Sequence, residues 1–353
     1  MMNTNERNYS LDALRILATF MVVTLHVPLL GGVFQWPQPL TKAILPSIFI
    51  ESLCIVAVNC FVLVTGFFMI HKTINYRKLL NLLLEIAVIS WLIFAIASLC
   101  GLRAPLRELA QHLFPTLSGC HWFISAYVIL YILTPWLNKF ILSLTRKECF
   151  YLAALLFAIF SLWGLNPKIN RISVHDGYSI LWLAYIYFIG SIIRLHIKKI
   201  PYPAVLYILG SLLTFGYGIL LCKYTPSFWY AINYNSPFVL LSAVGLFYAF
   251  YRLEISSAFA VKVIRFLTPG CFGVFLIHTD LFLQPFYKFL FNSSLPLPVW
   301  LITLCGAFAI FSISLLISVY INRFVKYLTG NILIPLFERK ILPRIQHYFG
   351  SKV

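Results

Sequence analysis

Asp12, Arg15, Thr19, Val22 and His26 follow i, i+3, i+4 steps, so on a helix they line one face. Arg15 and His26 are three turns apart, roughly 16 Å along a helix axis. That face presents a permanent cation near one end and an imidazole near the other. A guanidinium grips a phosphate or carboxylate with a planar fork of donors. A neutral imidazole takes up a proton near neutral pH, as a general base must. Together they suit a path with charged cargo held at one end and proton transfer at the other. On spacing alone a plainer reading competes: Asp12–Arg15 as a boundary ion pair and His26 as an interfacial, hydrogen-bonded histidine.

Other candidates are scattered. Lys72, Arg77 and Lys78 form a basic cluster after the second apolar run. Glu51, Glu85 and Asp280 are acids inside apolar runs, where charge is costly and marks function by default. Glu85 follows Arg77 and Lys78 at a spacing that lets it pair with them. His278 and Asp280 are two residues apart, so they do not share a helix face. Either Glu51 or Asp280 could orient His26, though neither is placed beside it by the sequence. His121 beside Trp122 reads as an interfacial histidine next to an aromatic-belt residue. His71, His112, His175, His196 and His347 receive no assignment. No phosphate-binding glycine loop, G-x-S-x-G elbow or H-E-x-x-H helix is present. The eight cysteines show no C-x-x-C pair and no metal-ligand spacing, so no metal site is expected. Cys100 and Cys120 fall near the ends of neighbouring spans, where a disulfide is conceivable but is not the expected state.

The elements that must position these residues are membrane spans. Of 353 residues, 61% are hydrophobic and 10% charged, and mean hydropathy is +0.89. Soluble domains hold about 45–50% apolar and about 25% charged residues. An ordinary soluble enzyme, a disordered chain and a disulfide scaffold are therefore excluded. Continuous apolar runs place spans at about 11–30, 44–70, 79–100, 120–140, 149–165, 178–195, 203–222, 236–251, 270–291 and 297–321. The expected fold is all-α: a polytopic bundle of about ten helices with both termini cytoplasmic. The run after Arg15 lacks a small-residue cleavage site and reads as a retained first span. Of the 27 Lys and Arg, only Lys42, Arg103, Arg107, Lys168, Arg171, Lys223 and Lys288 then lie outside. This is the positive-inside bias, and it explains the net charge of +17 without nucleic acid. Residues 1–330 read as one membrane domain and 331–353 as a basic cytoplasmic tail that could lie as an interfacial helix.

Several segments resemble membrane-bound acyltransferase family 3. The run from Tyr9 to Arg15 (YSLDALR), ten residues and then His26 match its opening signature. The stretch Thr65 to Phe68 (TGFF) looks like its S-G-F/Y segment. His121 to Ile124 (HWFI), with Tyr131 and Pro135, resembles its H-x-W-F span. Tyr187 to Gly190 (YFIG), Ser236 to Val239 (SPFV) with Phe247, and Phe275 to His278 (FLIH) follow in order. The resemblance covers roughly residues 9–280. It implies an inner-membrane helical bundle that takes a small acyl group, usually acetyl, from cytoplasmic acyl-CoA. The group goes to a hydroxyl of a surface polysaccharide or its lipid-linked precursor, as in lipopolysaccharide or capsule modification. Carried over by position, Arg15 and His26 are the essential pair, with His26 the base.

One departure stands out. Many members carry Arg-x-x-Arg after the second span, but here Arg77 is followed three residues later by Leu80. Lys78 can stand in as a point charge without the bidentate fork. Lys72, Arg77 and Lys78 are then the expected grip on CoA, which is a donor substrate and not a bound cofactor. Expected partners are acyl-CoA, a glycan or lipid-linked glycan, membrane lipid and either a second copy or a separate protein. The alternative is an exporter of a small acid, an amino acid or an acylated sugar, using Arg15 and His26 as substrate and proton sites. Transport would give flux without an acylated product.

Overall fold

The computed structural model describes residues 7–34, 40–101, 106–119, 121–165, 174–224, 228, 231–292 and 297–340, which are helical with no strand among them. The chain begins with α1 (Tyr9–Leu30), α2 (Leu45–Cys54), α3 (Ala57–Met69), α4 (Tyr76–Leu99) and α5 (Leu106–Leu113). Then come α6 (Trp122–Ser143), α7 (Arg146–Phe157), α8 (Ile180–His196), α9 (Pro203–Leu221) and α10 (Pro237–Tyr251). The last are α11 (Ala258–Leu267), α12 (Cys271–His278), α13 (Gln284–Asn292), α14 (Val299–Leu328) and α15 (Ile334–Lys340). Among the described residues eight helices, α2–α3 and α11–α12 each counted as one, are long and apolar enough to cross a bilayer. The apolar α8 and α10 are shorter, at 17 and 15 residues. The chain is a multi-pass all-α membrane protein.

Most expected spans fall on these helices. The ninth does not: it was expected at 270–291, whereas the long apolar helix is Ala258–His278 and α13 is a separate piece. The basic Lys262 and Arg265 hid its first half from a hydropathy reading. The last helix also runs past 321, through a π turn at Thr329–Leu333. Cys100 is a free thiol; Cys120 and the tail beyond Lys340 lie outside the described residues.

Local rules explain the ends and bends that matter. Asn8 caps α1 by accepting from the Leu11 N–H at 2.9 Å. Pro135 inside α6 cannot donate to the Tyr131 carbonyl, and the Thr134 hydroxyl donates to that oxygen at 2.7 Å instead. Asn138 donates to the carbonyls of Met69 (2.7 Å) and Lys72 (3.0 Å), satisfying the end of α3 and fixing the loop that bears Lys72. Tyr187 in turn donates to Asn138 Oδ1 at 2.5 Å.

α1 and α3 sit at the centre. Among the core residues Leu11, Leu14, Val22, Val58, Leu63, Tyr187 and Phe247 are fully enclosed. Gly66 on α3 faces the Tyr187 backbone, and Gly190 on α8 faces the Leu63 backbone. A Cβ at either would run into the opposing carbonyl, so this reciprocal contact needs glycine. By contrast, α4, α7 and α9 present large apolar side chains outward, such as Ile96, Tyr151 and Leu209. In water that would be a liability; in a bilayer it is the lipid-facing surface.

Candidate active site

α1 places the two sequence candidates at opposite ends of one buried helix. At the first end, Arg15 donates to Asp12 Oδ1 at 2.7 Å, and Arg7 donates to Asp12 Oδ2 at 2.5 Å. The ion pair expected from spacing exists, yet it does not consume the guanidinium, whose side chain keeps 32% exposure. Arg15 and Lys72 both stand 5.7 Å from the Phe68 ring centre. Arg194 stacks 5.0 Å from the neighbouring Phe67 ring. The Lys72 amine is held below its ordinary pKa, first by partial burial and then by repulsion from Lys78, Arg15 and Arg194. Like charges gathered on an aromatic floor make a strongly positive patch. Arg77 folds over the ring of Tyr76 at the start of α4.

At the other end, His26 Nδ1 lies 2.8 Å from the Val22 carbonyl and 3.3 Å from His278 Nε2. A carbonyl only accepts, so Nδ1 carries the hydrogen and Nε2 keeps the lone pair. The same logic applies to His278, whose Nδ1 meets the Val274 carbonyl at 2.5 Å. Its Nε2 is then an acceptor aimed at the His26 N–H. The rings meet edge to face, with centroids 5.0 Å apart. His278 is fully buried, and the Tyr287 hydroxyl donates to its carbonyl at 2.6 Å.

His26 opens on a cavity of about 220 Å³. Its polar lining is His26, His121, Trp122, Tyr234 and Thr279, and its floor includes Val22, Val58 and Phe275. Thr279 gives its one hydrogen to the Phe275 carbonyl at 2.6 Å. His121 Nδ1, 3.1 Å from Thr279 Oγ1, is therefore the donor there, leaving its Nε2 unprotonated. Trp122 packs on Tyr178 (4.6 Å) and Tyr234 (5.7 Å), forming an aromatic wall. Among the described residues no three His, Cys, Asp or Glu side chains are placed to share one metal ion. The cavity therefore combines an unprotonated imidazole nitrogen, a fixed ring orientation and a mostly apolar wall.

A family model for an acyltransferase domain matches residues 8–319. The chain belongs to the acyltransferase 3 family. It is a membrane acyltransferase, and the match spans both ends of α1 and the late histidine. No curated protein and no solved structure matches it. Acyl transfer needs a base at the acceptor hydroxyl, and His26, its Nδ1 committed to the Val22 carbonyl, is an imidazole on the lining of this half-open cavity.

The remaining candidates of this acyltransferase separate. Glu85 does not pair with Arg77 or Lys78: its Oε2 accepts from Asn322 Nδ2 at 2.5 Å, deep between α4 and α14. Two turns of α4 carry Glu85 into the bundle and leave the two cations exposed at the helix start. Asp280 does not touch His26; its Oδ2 meets His112 Nε2 at 3.1 Å. Glu51 is buried on α2, near Tyr178 and Tyr234 and behind the aromatic wall. Three residues escaped the sequence reading. Arg194 counted only as topology charge, His112 had no assignment, and Thr279 stood unnoticed between His278 and Asp280. The one signal for the last was its place inside a His-Thr-Asp triplet.

Proposed function

We propose that this acyltransferase moves an acetyl or similarly small acyl group from cytoplasmic acetyl-CoA to a hydroxyl of a cell-surface or lipid-linked glycan. It works in the bacterial cytoplasmic membrane with the Arg15 end inward, an orientation supported by the Lys and Arg bias. Arg15, Lys72, Lys78 and Arg194 suit the phosphates of CoA, with Arg77 at the rim. The thin pantetheine arm is the part of the donor that can reach along α1. The aromatic wall of Trp122, Tyr178 and Tyr234 suits the apolar face of a sugar ring.

The chemistry then balances with the groups in place. The acceptor hydroxyl attacks the thioester carbonyl while His26 Nε2 takes its proton. The C–O bond forms, the C–S bond breaks, and the CoA thiolate takes the proton that His26 accepted, so CoA leaves as the thiol and His26 returns to its neutral form. While it holds the proton, His26 is a cation whose Nδ1–H points at the Val22 carbonyl and His278 Nε2. His278 thus holds the ring and stabilises the imidazolium, as a carboxylate does in a hydrolase triad.

The observation that carries this reading is His26, its Nδ1 held against the Val22 carbonyl, on the lining of the cavity of a family-matched acyltransferase. Isolated membranes with wild-type protein or His26→Ala, radiolabelled acetyl-CoA and the host's glycan lipids provide the test. Label in glycan with wild type only is the expected result. Equal label with both would remove His26 as the base, and label with neither would remove acetyl-CoA as the donor.

A further inference from the structure

His278, Thr279 and Asp280 are consecutive at the end of α12, and each holds a different histidine. His278 meets His26, Thr279 meets His121, and Asp280 meets His112. The first two histidines line the cavity. The third does not; it comes from α5, the short helix between two membrane spans.

The His112–Asp280 contact is buried, and it is an ion pair when His112 is protonated. His112 Nδ1 faces the Glu108 carbonyl at 2.8 Å and its Nε2 faces the Asp280 carboxylate at 3.1 Å. A carbonyl and a carboxylate only accept, so an imidazolium, with a hydrogen on each ring nitrogen, satisfies both contacts at once. Asp280 Oδ1 also accepts from the Phe282 N–H at 3.1 Å, so its carboxylate is satisfied on both oxygens. The His112 ring lies between Phe94 (5.3 Å) and Phe282 (5.6 Å), which shield the pair from water. His112 and Asp280 are 7% and 4% exposed. One clasp thus ties α5 and α4 to the triplet that orients the cavity histidines.

We propose that His112 and Asp280 are positioning residues for acyl transfer, clamping α5 across the end of α12 and so setting where His278 and Thr279 hold His26 and His121. This rests on the acyl-transfer reading of the same site. The Asp280 hydrogen bond, ahead of the opposing effect of burial, raises the His112 pKa above its ordinary value. Among the described residues the other titratable groups bearing on the pair are Glu108 and His121. A raised histidine pKa means the clasp is fully present below the ordinary value and is lost as pH rises through the raised one.

The test uses the full chain in lipid nanodiscs, with acetyl-CoA and acceptor varied separately between pH 6 and 9. His112→Ala should lower turnover per folded molecule roughly tenfold, with the donor KM within about twofold, as misplaced catalytic groups do. His112→Gln keeps a donor towards Asp280 but cannot titrate. It should restore most of the turnover at neutral pH and lack the wild-type decline on the alkaline side. Combining His112→Ala with Asp280→Asn should cost no more than the worse single variant. Histidine C2 hydrogen–deuterium exchange should show His112 titrating above 6.5 in the wild type and lower in Asp280→Asn. Wild-type turnover and pH profile in both His112 variants would overturn the proposal while leaving the acyl-transfer reading intact. So would a loss explained wholly by fewer folded molecules. A wild type that transfers no label would overturn both.

Discussion

The two ends of α1 use the same helix in opposite ways. At the Arg15 end the charges are permanent, partly exposed and crowded with their own kind: Arg15, Lys72, Lys78 and Arg194 around Phe67 and Phe68. At the His26 end among the described residues the groups are titratable, gathered at one cavity and paired ring to ring or ring to hydroxyl. A cluster of repelling cations is stabilised by an incoming polyanion, which makes it a binding device. A set of neutral imidazoles with fixed tautomers is ready to accept a proton, which makes it a reaction device. On the proposed function, one helix then separates gripping the donor from activating the acceptor.

The comparison can be broken in order of size. His26→Asn should lower turnover by roughly 10³ while leaving the donor KM within about twofold, because only the proton acceptor is lost. A donor KM that rises as steeply as turnover falls would show that the ends are not separate. His278→Phe keeps a ring but removes the acceptor facing His26 Nδ1, so turnover should fall roughly tenfold, again without a KM change. The double change Lys72→Ala with Arg194→Ala should do the reverse, raising the donor KM about tenfold at unchanged turnover, with the difference shrinking at high salt. Steady-state rates against acetyl-CoA at two ionic strengths measure it.

The smallest effect belongs to a region at neither end. Glu85 Oε1 and Asn322 Oδ1 are buried acceptors without a hydrogen-bond partner among the described residues. A hydrogen between them would satisfy both. Glu85→Gln supplies one, so thermal unfolding in lipid should shift little, whereas Glu85→Leu leaves the Asn322 amide unpaired and costs about 1–3 kcal/mol. Neither should alter the donor KM.

The difference between the ends also governs what could be read from the residues. The Arg15–His26 face was legible because helical spacing is a local property of one segment. So was the all-α membrane fold, since continuous apolar runs and few charges leave no other solution. The His26–His278 pair was not legible, because it joins residues 252 apart in the chain and depends on how α12 packs against α1. His112 was invisible for the same reason: an amphipathic eight-residue helix gives no sign that its histidine meets an aspartate 168 residues away. Glu85 shows the converse failure. Its sequence neighbours offered plausible partners, but two helical turns carry Glu85 about 10–12 Å along the axis from the exposed Arg77 and Lys78 and into reach of Asn322. The ninth span slipped because Lys262 and Arg265 sit in the first turns of a helix that is apolar farther on.

Donor binding and transfer measured on the same samples test the division of labour most directly. Full-length wild type, His26→Ala and Arg15→Ala in lipid nanodiscs would be assayed for binding of a non-transferable acetyl-CoA analogue and for transfer of labelled acetyl to acceptor. The account predicts that His26→Ala binds the donor as tightly as wild type and transfers nothing, while Arg15→Ala binds it at least tenfold more weakly. Loss of donor binding in His26→Ala, or wild-type binding in Arg15→Ala, would contradict it.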